Sequence, residues 1–195
     1  MTTELIQHTI EQRPSRRHAT VEEFWALPES MLPTEYVNGE IIMSPSPAVV
    51  HQVIVGNIYA LLRERARQTG AVVCFLSPLD VELPSGDVVQ PDVFCMSRAE
   101  AERALTSRNM SGVPSLLIEI LSPGSIRHDT ITKRDLYERN GVREYWIVDP
   151  ESVTVAQLVL EDGRYRVTEL AAEATIRSSV LVDFEILVGK LFATG

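Results

Sequence analysis

Two apolar runs, SLLIEILSP (residues 115–123) and REYWIVDP (residues 143–150), bracket a helix-patterned stretch, and no other feature limits the possible folds as much. Leu116, Leu117, Ile118, Ile120 and Leu121 read as a buried strand, and Pro150 ends the second run. Between them the pattern predicts a helix from about Ile126 to Asn140, stopped by Gly141. A strand, a helix and a strand, preceded by further strands, predict an α/β chain built on a mixed sheet.

The remaining elements follow from local signals. Thr20 is a plausible N-cap for a short helix over TVEEFWALPES. Asn38-Gly39 predicts a tight hairpin in TEYVNGEIIMS. A long helix runs from SPSPAVVHQ to Gly70, with Val50, Val53, Ile54, Ile58, Leu61 and Leu62 at helical spacing. AVVCFL, LDVELP and PDVFCM read as strands, the last two joined by the turn SGD, and a short helix follows around SRAEAERAL. TVAQLVLE and GRYRVTEL form a second hairpin about Asp162-Gly163, and the tail VLVDFEILVGKLF packs back on the body. Residues 1–18 read as a loosely held arm, and 19–195 as a single domain.

At 195 residues the chain is long enough for a full core. Its apolar runs are far shorter than a membrane span, and its first twenty residues lack the apolar stretch of a signal peptide, so a cytoplasmic protein is expected. Cys74 and Cys95 lie in apolar strand runs and read as core thiols in a reducing compartment. They offer no zinc-site spacing. The net charge of −9 disfavours a large non-specific nucleic-acid surface, although residues 127–143 carry a local excess of +2. On charge alone that segment reads as a solvated helix face laced with ion pairs.

Glu119 interrupts the most apolar strand, and a buried carboxylate needs a partner or a metal. An arginine beneath the sheet would satisfy it structurally. Asp92 follows Pro91, which marks a strand start or bend, so it stands near a strand end, or is simply a turn aspartate. At 100° per residue from Ile126, Asp129, Lys133, Leu136, Tyr137 and Asn140 share one helix side, the side expected to meet the sheet. Glu119 lies roughly 7 Å from its strand end, and Lys133 roughly 10 Å along the returning helix, so the lysine stem can reach the glutamate. Two carboxylates suit a hard cation such as Mg²⁺ or Mn²⁺. Such a cation acidifies a bound water and stabilises phosphoryl charge, while a lysine orients or stabilises the reacting groups.

The order PDVFCM, GVPSLLIEILSPGS, HDTITKRDLYERNGVREYWIVDP, with EYVNGEIIMSPSPAVVHQ upstream, resembles the restriction-endonuclease-like family called Uma-two, in the PD-(D/E)XK nuclease superfamily. The resemblance spans roughly residues 20–190. It implies a restriction-endonuclease-like core, a mixed β-sheet flanked by helices with an added N-terminal helix and hairpin. It also implies a Mg²⁺- or Mn²⁺-dependent endonuclease acting on DNA, and a homodimer. Asp92 and Glu119 map to the superfamily's metal-binding acids. Its lysine position is occupied by Leu121, and Lys133 takes that role from the following helix. The alternative is a non-enzymatic nucleic-acid or protein-binding module on a degenerate nuclease fold. Glu35, Val37, Glu40 and Ile42 share one hairpin face, and Glu40 is the candidate for a third carboxylate, or else an exposed strand residue. His51, in the first turn of the long helix, and Tyr137, one turn from Lys133, are further candidates for the cleft, each with a structural alternative.

Overall fold

The computed structural model of the protein describes residues 14–28, 30, 32–105 and 110–194. Capping and turn chemistry set most element ends. After β1 (Ser15–His18), Thr20 and Glu23 close a reciprocal capping box on α1 (Val21–Trp25). In the hairpin of β2 (Thr34–Val37) and β3 (Glu40–Met43), Asn38 and Gly39 take φ values of 53° and 80°, as a two-residue turn requires. The long helix α2 (Val49–Thr69) buries Ile54, Val55, Ile58, Leu62 and Ala66, and Gly70 ends it at φ 67°. His51 continues this buried stripe one turn earlier, whereas Val50 stays half-exposed.

The middle of the chain supplies β4 (Val72–Leu76), β5 (Val81–Glu82), β6 (Val88–Val89), β7 (Val93–Ser97), α3 (Arg98–Ala104), β8 (Met110–Ser111) and β9 (Leu116–Ile120). A helical segment then opens at Ile126, widens into a π-helical turn over His128–Lys133, and continues as α4 (Arg134–Arg139). β10 (Glu144–Asp149), β11 (Thr154–Glu161), β12 (Arg164–Leu170), β13 (Thr175–Arg177) and β14 (Glu185–Leu187) follow, with a last 3₁₀ turn over Val188–Phe192.

Among the described residues two six-stranded sheets form, in the orders β1-β3-β2-β6-β5-β8 and β12-β11-β10-β9-β7-β4, beside the small pair β13-β14. In the second sheet β9 and β10 run parallel across the helical connection, and the other pairs are antiparallel, so the sheet is mixed as expected. Alternation along each strand splits the core in two. Val93, Cys95, Leu116, Ile118, Trp146 and Val148 face α2 and the C-terminal turn. Phe94, Met96, Leu117, Tyr145 and Ile147 face α4 and the first sheet, which sends in Val37, Ile42, Val81 and Val89. Glu119 follows Leu117 by two and points to this second side. No helix among the described residues is long and apolar enough to cross a membrane.

Four expectations change. Residues 15–18, assigned to the loose arm, pair with β3 as an edge strand; its side chains are all exposed, so it has no apolar face by which the side-chain pattern could reveal it. The rest of that arm, residues 1–13, lies outside the described residues. The turn after LDVELP does not lead into PDVFCM. It leads into the two-residue strand β6, and Gln90-Pro91-Asp92 then carries the chain to β7 in the other sheet. The helix before Gly141 is not regular, because its first full turn is π-helical. Cys74 and Cys95 are not free thiols: they stand directly opposite each other on β4 and β7 and are joined as a disulfide.

Candidate active site

The site forms where the N-terminal end of β7, the C-terminal end of β9 and the π-turn meet. Antiparallel register sets Val93 opposite Ile118, which brings Asp92 level with Glu119. Asp92 Oδ2 accepts from the Ile120 backbone N–H at 2.8 Å and lies 3.1 Å from His51 Nε2. His51 therefore reaches over the sheet end from α2, on the opposite face. Oδ1 of Asp92 has no hydrogen bond among the described residues. Glu119 Oε1 accepts from Lys133 Nζ and from the Tyr137 hydroxyl, both at 2.9 Å, and Oε2 faces Asp92, whose N–H lies 3.4 Å away. The partner of Glu119 is thus a lysine from the next helix, not an arginine beneath the sheet. Leu121, past the end of β9, donates its N–H to Val148 and takes no part in the cluster.

Three charged or titratable residues beyond the predicted set complete the cluster. Glu35, from β2 of the other sheet, takes Lys133 Nζ at 2.8 Å and His128 Nε2 at 3.0 Å. Asp129 Oδ1 lies 3.8 Å from Lys133 Nζ. Glu35, Glu119, His128, Asp129 and Lys133 are all buried. Asp92 sits at the mouth, with 19% of its side chain exposed. Glu40 does not join. It lies at the turn end of β3 and pairs at the surface with Arg16 at 3.6 Å and His18 at 3.7 Å. The third carboxylate of the hairpin face is Glu35, which lies level with buried Ile42 where Glu40 lies by the turn. Asp129 was legible on the wheel beside Lys133. His128 was not, because a 3.6-residue period does not place it on that side.

Charge balance separates this cluster from ordinary buried polarity. Glu144 is also fully buried, but it is satisfied by neutral donors: Trp146 Nε1, Gln157 Nε2, the Ser178 and Ser179 hydroxyls and the Ser179 N–H. Among the described residues, four carboxylates (Glu35, Asp92, Glu119, Asp129) meet one ammonium and two imidazoles around Lys133. Burial, resisted by Lys133 and reinforced by Asp92, Asp129 and Glu35, pushes Glu119 well above the usual carboxylate range. Burial likewise raises Asp129 against Lys133, Ser125 and His128. At Glu35 burial is outweighed by Lys133 and His128, which hold it below its ordinary value. Lys133 is raised well above its own because Glu119, Glu35 and Asp129 together outweigh its burial. His51 is raised: burial opposes its charge, but Asp92, by hydrogen bond and charge, and then Asp129 favour it.

The site is therefore short of positive charge, and a cation or a proton must make up the difference. Among the described residues, no three histidine, cysteine or acidic side chains are already gathered around one point as a metal cage. Asp92 Oδ1 and Glu119 Oε2 nevertheless leave hard oxygen lone pairs on neighbouring groups. That donor set fits Mg²⁺ or Mn²⁺, which take one or two carboxylates and keep their remaining waters.

No curated protein matches the chain in sequence. A crystal structure from Anabaena variabilis, titled as "a putative nuclease belonging to DUF820", superposes with a TM-score of 0.76 at 22% identity, covering 89% of this chain and 97% of that one. At that identity the likeness speaks for the fold. The model of the Uma2 family, described as "Putative restriction endonuclease", matches residues 21–189, and the chain belongs to that family.

Proposed function

We propose that the protein is a divalent-metal-dependent endonuclease that hydrolyses phosphodiester bonds in DNA. The observation that carries this reading is the meeting of Lys133 Nζ with Glu119 Oε1 at 2.9 Å, directly beside Asp92, in a buried cluster with more carboxylates than cations. Asp92 and Glu119 would hold Mg²⁺ or Mn²⁺, which when bound would supply an acidified water and stabilisation of phosphoryl charge. Lys133 fixes Glu119 through Oε1, so that Oε2 stays turned to Asp92, and its fixed positive charge faces the developing negative charge. Tyr137 donates to the same Oε1 and braces it. His51 holds Asp92 Oδ2, which leaves Oδ1 for the cation. A homodimer, implied by the family resemblance, belongs to the same proposal and is read from sedimentation velocity.

Cleavage of plasmid and linear DNA with Mg²⁺ or Mn²⁺ tests it. Wild type is expected to cut only with metal, and Asp92→Ala and Glu119→Ala to lose the activity. A wild type that cuts nothing, or variants that cut equally well, overturns the proposal. One observation favours a second reading, a non-enzymatic binding module: the Lys133 ammonium is already enclosed by three carboxylates, and Glu119 is only 3% exposed. That reading requires no Mn²⁺ binding by calorimetry and DNA binding unchanged in both carboxylate variants.

A further inference from the structure

The geometry points to Glu35 as a positioning residue that holds the π-turn and thereby aims Lys133 at Glu119. The inference rests on the nuclease reading above and names a part of its machinery contributed by the other sheet. Glu35 Oε1 meets Lys133 Nζ at 2.8 Å, and Oε2 meets His128 Nε2 at 3.0 Å. These two partners are the last and first residues of the π-turn. On a regular α-helix, residues five apart point about 140° away from each other, so one of the two would turn its back on Glu35. The wider i→i+5 turn brings them to one side. The bifurcated grip of a single buried carboxylate therefore selects the π form.

A second contact extends the clamp. Glu35 Oε1 also accepts the Gln90 backbone N–H at 2.8 Å, two residues before Asp92. Glu35 thus ties the segment that delivers Asp92 to the segment that delivers Lys133, although it touches neither metal-binding carboxylate directly. In sequence the three segments lie far apart, positions 35 and 90 having a separation of 55.

Two changes test the clamp. Glu35→Gln keeps the size but removes the charge and puts an NH₂ donor in place of one of the two oxygens, so the paired acceptance from Lys133 at Oε1 and His128 at Oε2 is lost. Deletion of Thr132 shortens the π-turn by the residue that distinguishes it from an α-turn. Each is expected to lower kcat roughly 10- to 100-fold, while KM for DNA and the Mn²⁺ affinity by calorimetry stay within about twofold, the mark of an interaction felt mainly in the transition state. A fold anchor without an aiming role would not give that split. Nitrogen-15 NMR of the Lys133 ammonium gives a readout independent of turnover. The hydrogen-bonded ammonium is expected to give a slowly exchanging signal in the wild type and to lose it in Glu35→Gln with unchanged circular dichroism. If Glu35→Gln fails to fold, His128→Gln, which releases one arm of the clamp, is expected to lose the same signal. A retained ammonium signal, or wild-type kcat in Glu35→Gln, overturns the inference. If the wild type cuts no DNA, the nuclease reading falls, and the ammonium signal alone decides the role of Glu35.

Discussion

Replacing Lys133 with methionine removes the only lysine or arginine cation that the buried cluster has among the described residues and keeps most of its apolar stem. The lysine nitrogen lies 2.8 Å from Glu35, 2.9 Å from Glu119 and 3.8 Å from Asp129. At an effective dielectric of about 20, each of the two short contacts is worth about 6 kcal/mol before desolvation. Desolvation cancels most of that, and removing one partner of a buried ion pair costs about 3–5 kcal/mol. The loss should depend on pH with a definite sign. Glu119 and Asp129 are already raised in the folded state, and without Lys133 they rise further. A group with a raised folded pKa contributes stability that is present at low pH and lost as pH rises through that folded value, at about 1.4 kcal/mol per pH unit per group. Glu35, which Lys133 holds low, loses that stabilisation at both pH values, so Lys133→Met is expected to be less stable than wild type already at pH 5 and to lose more by pH 8, about 3–5 kcal/mol in all. Urea unfolding followed by circular dichroism at the two pH values measures this. A loss below about 1 kcal/mol at pH 8, or an equal loss at pH 5 and pH 8, refutes the charge balance described for the site.

Two further outcomes follow from the contacts. His51→Ala removes the 3.1 Å hold on Asp92 Oδ2 and should weaken Mn²⁺ binding, measured by calorimetry, about 10- to 100-fold. Reduction of the Cys74–Cys95 disulfide, which closes a loop with a sequence separation of 21, should cost about 3 kcal/mol of stability, seen as a lower urea midpoint with dithiothreitol and no such change in Cys74→Ala.

Much of the architecture is written locally. Asn38-Gly39 and Asp162-Gly163 both adopt the positive φ values that their hairpins need, and Thr20 and Gly70 mark helix ends by capping chemistry that depends on near neighbours alone. The features that were not legible depend on partners distant in sequence. β1 has no apolar face, so only its pairing with β3 defines it. The disulfide depends on the register of β4 with β7.

The site divides along the same line. Asp92, Glu119, Lys133, His51 and Tyr137 stand together, because a carboxylate in an apolar strand and a lysine on the inner helix side are anomalies within a single element. Glu35 and Glu40 carry the same side chain on the same hairpin face. What separates them is that Glu35 meets the π-turn across the sheets while Glu40 ends beside Arg16 and His18. His128 joins only through the π-turn, and a wheel drawn at 100° per residue turns it away.

The central claim is that Asp92 and Glu119 share a divalent cation beside Lys133. A crystal soaked in Mn²⁺, with anomalous scattering recorded at the manganese edge, tests it most directly. The predicted result is one anomalous peak within about 2.0–2.3 Å of an oxygen of each carboxylate, absent in Asp92→Ala. The contradicting result is no peak between them at saturating Mn²⁺, with Lys133 still paired to Glu119.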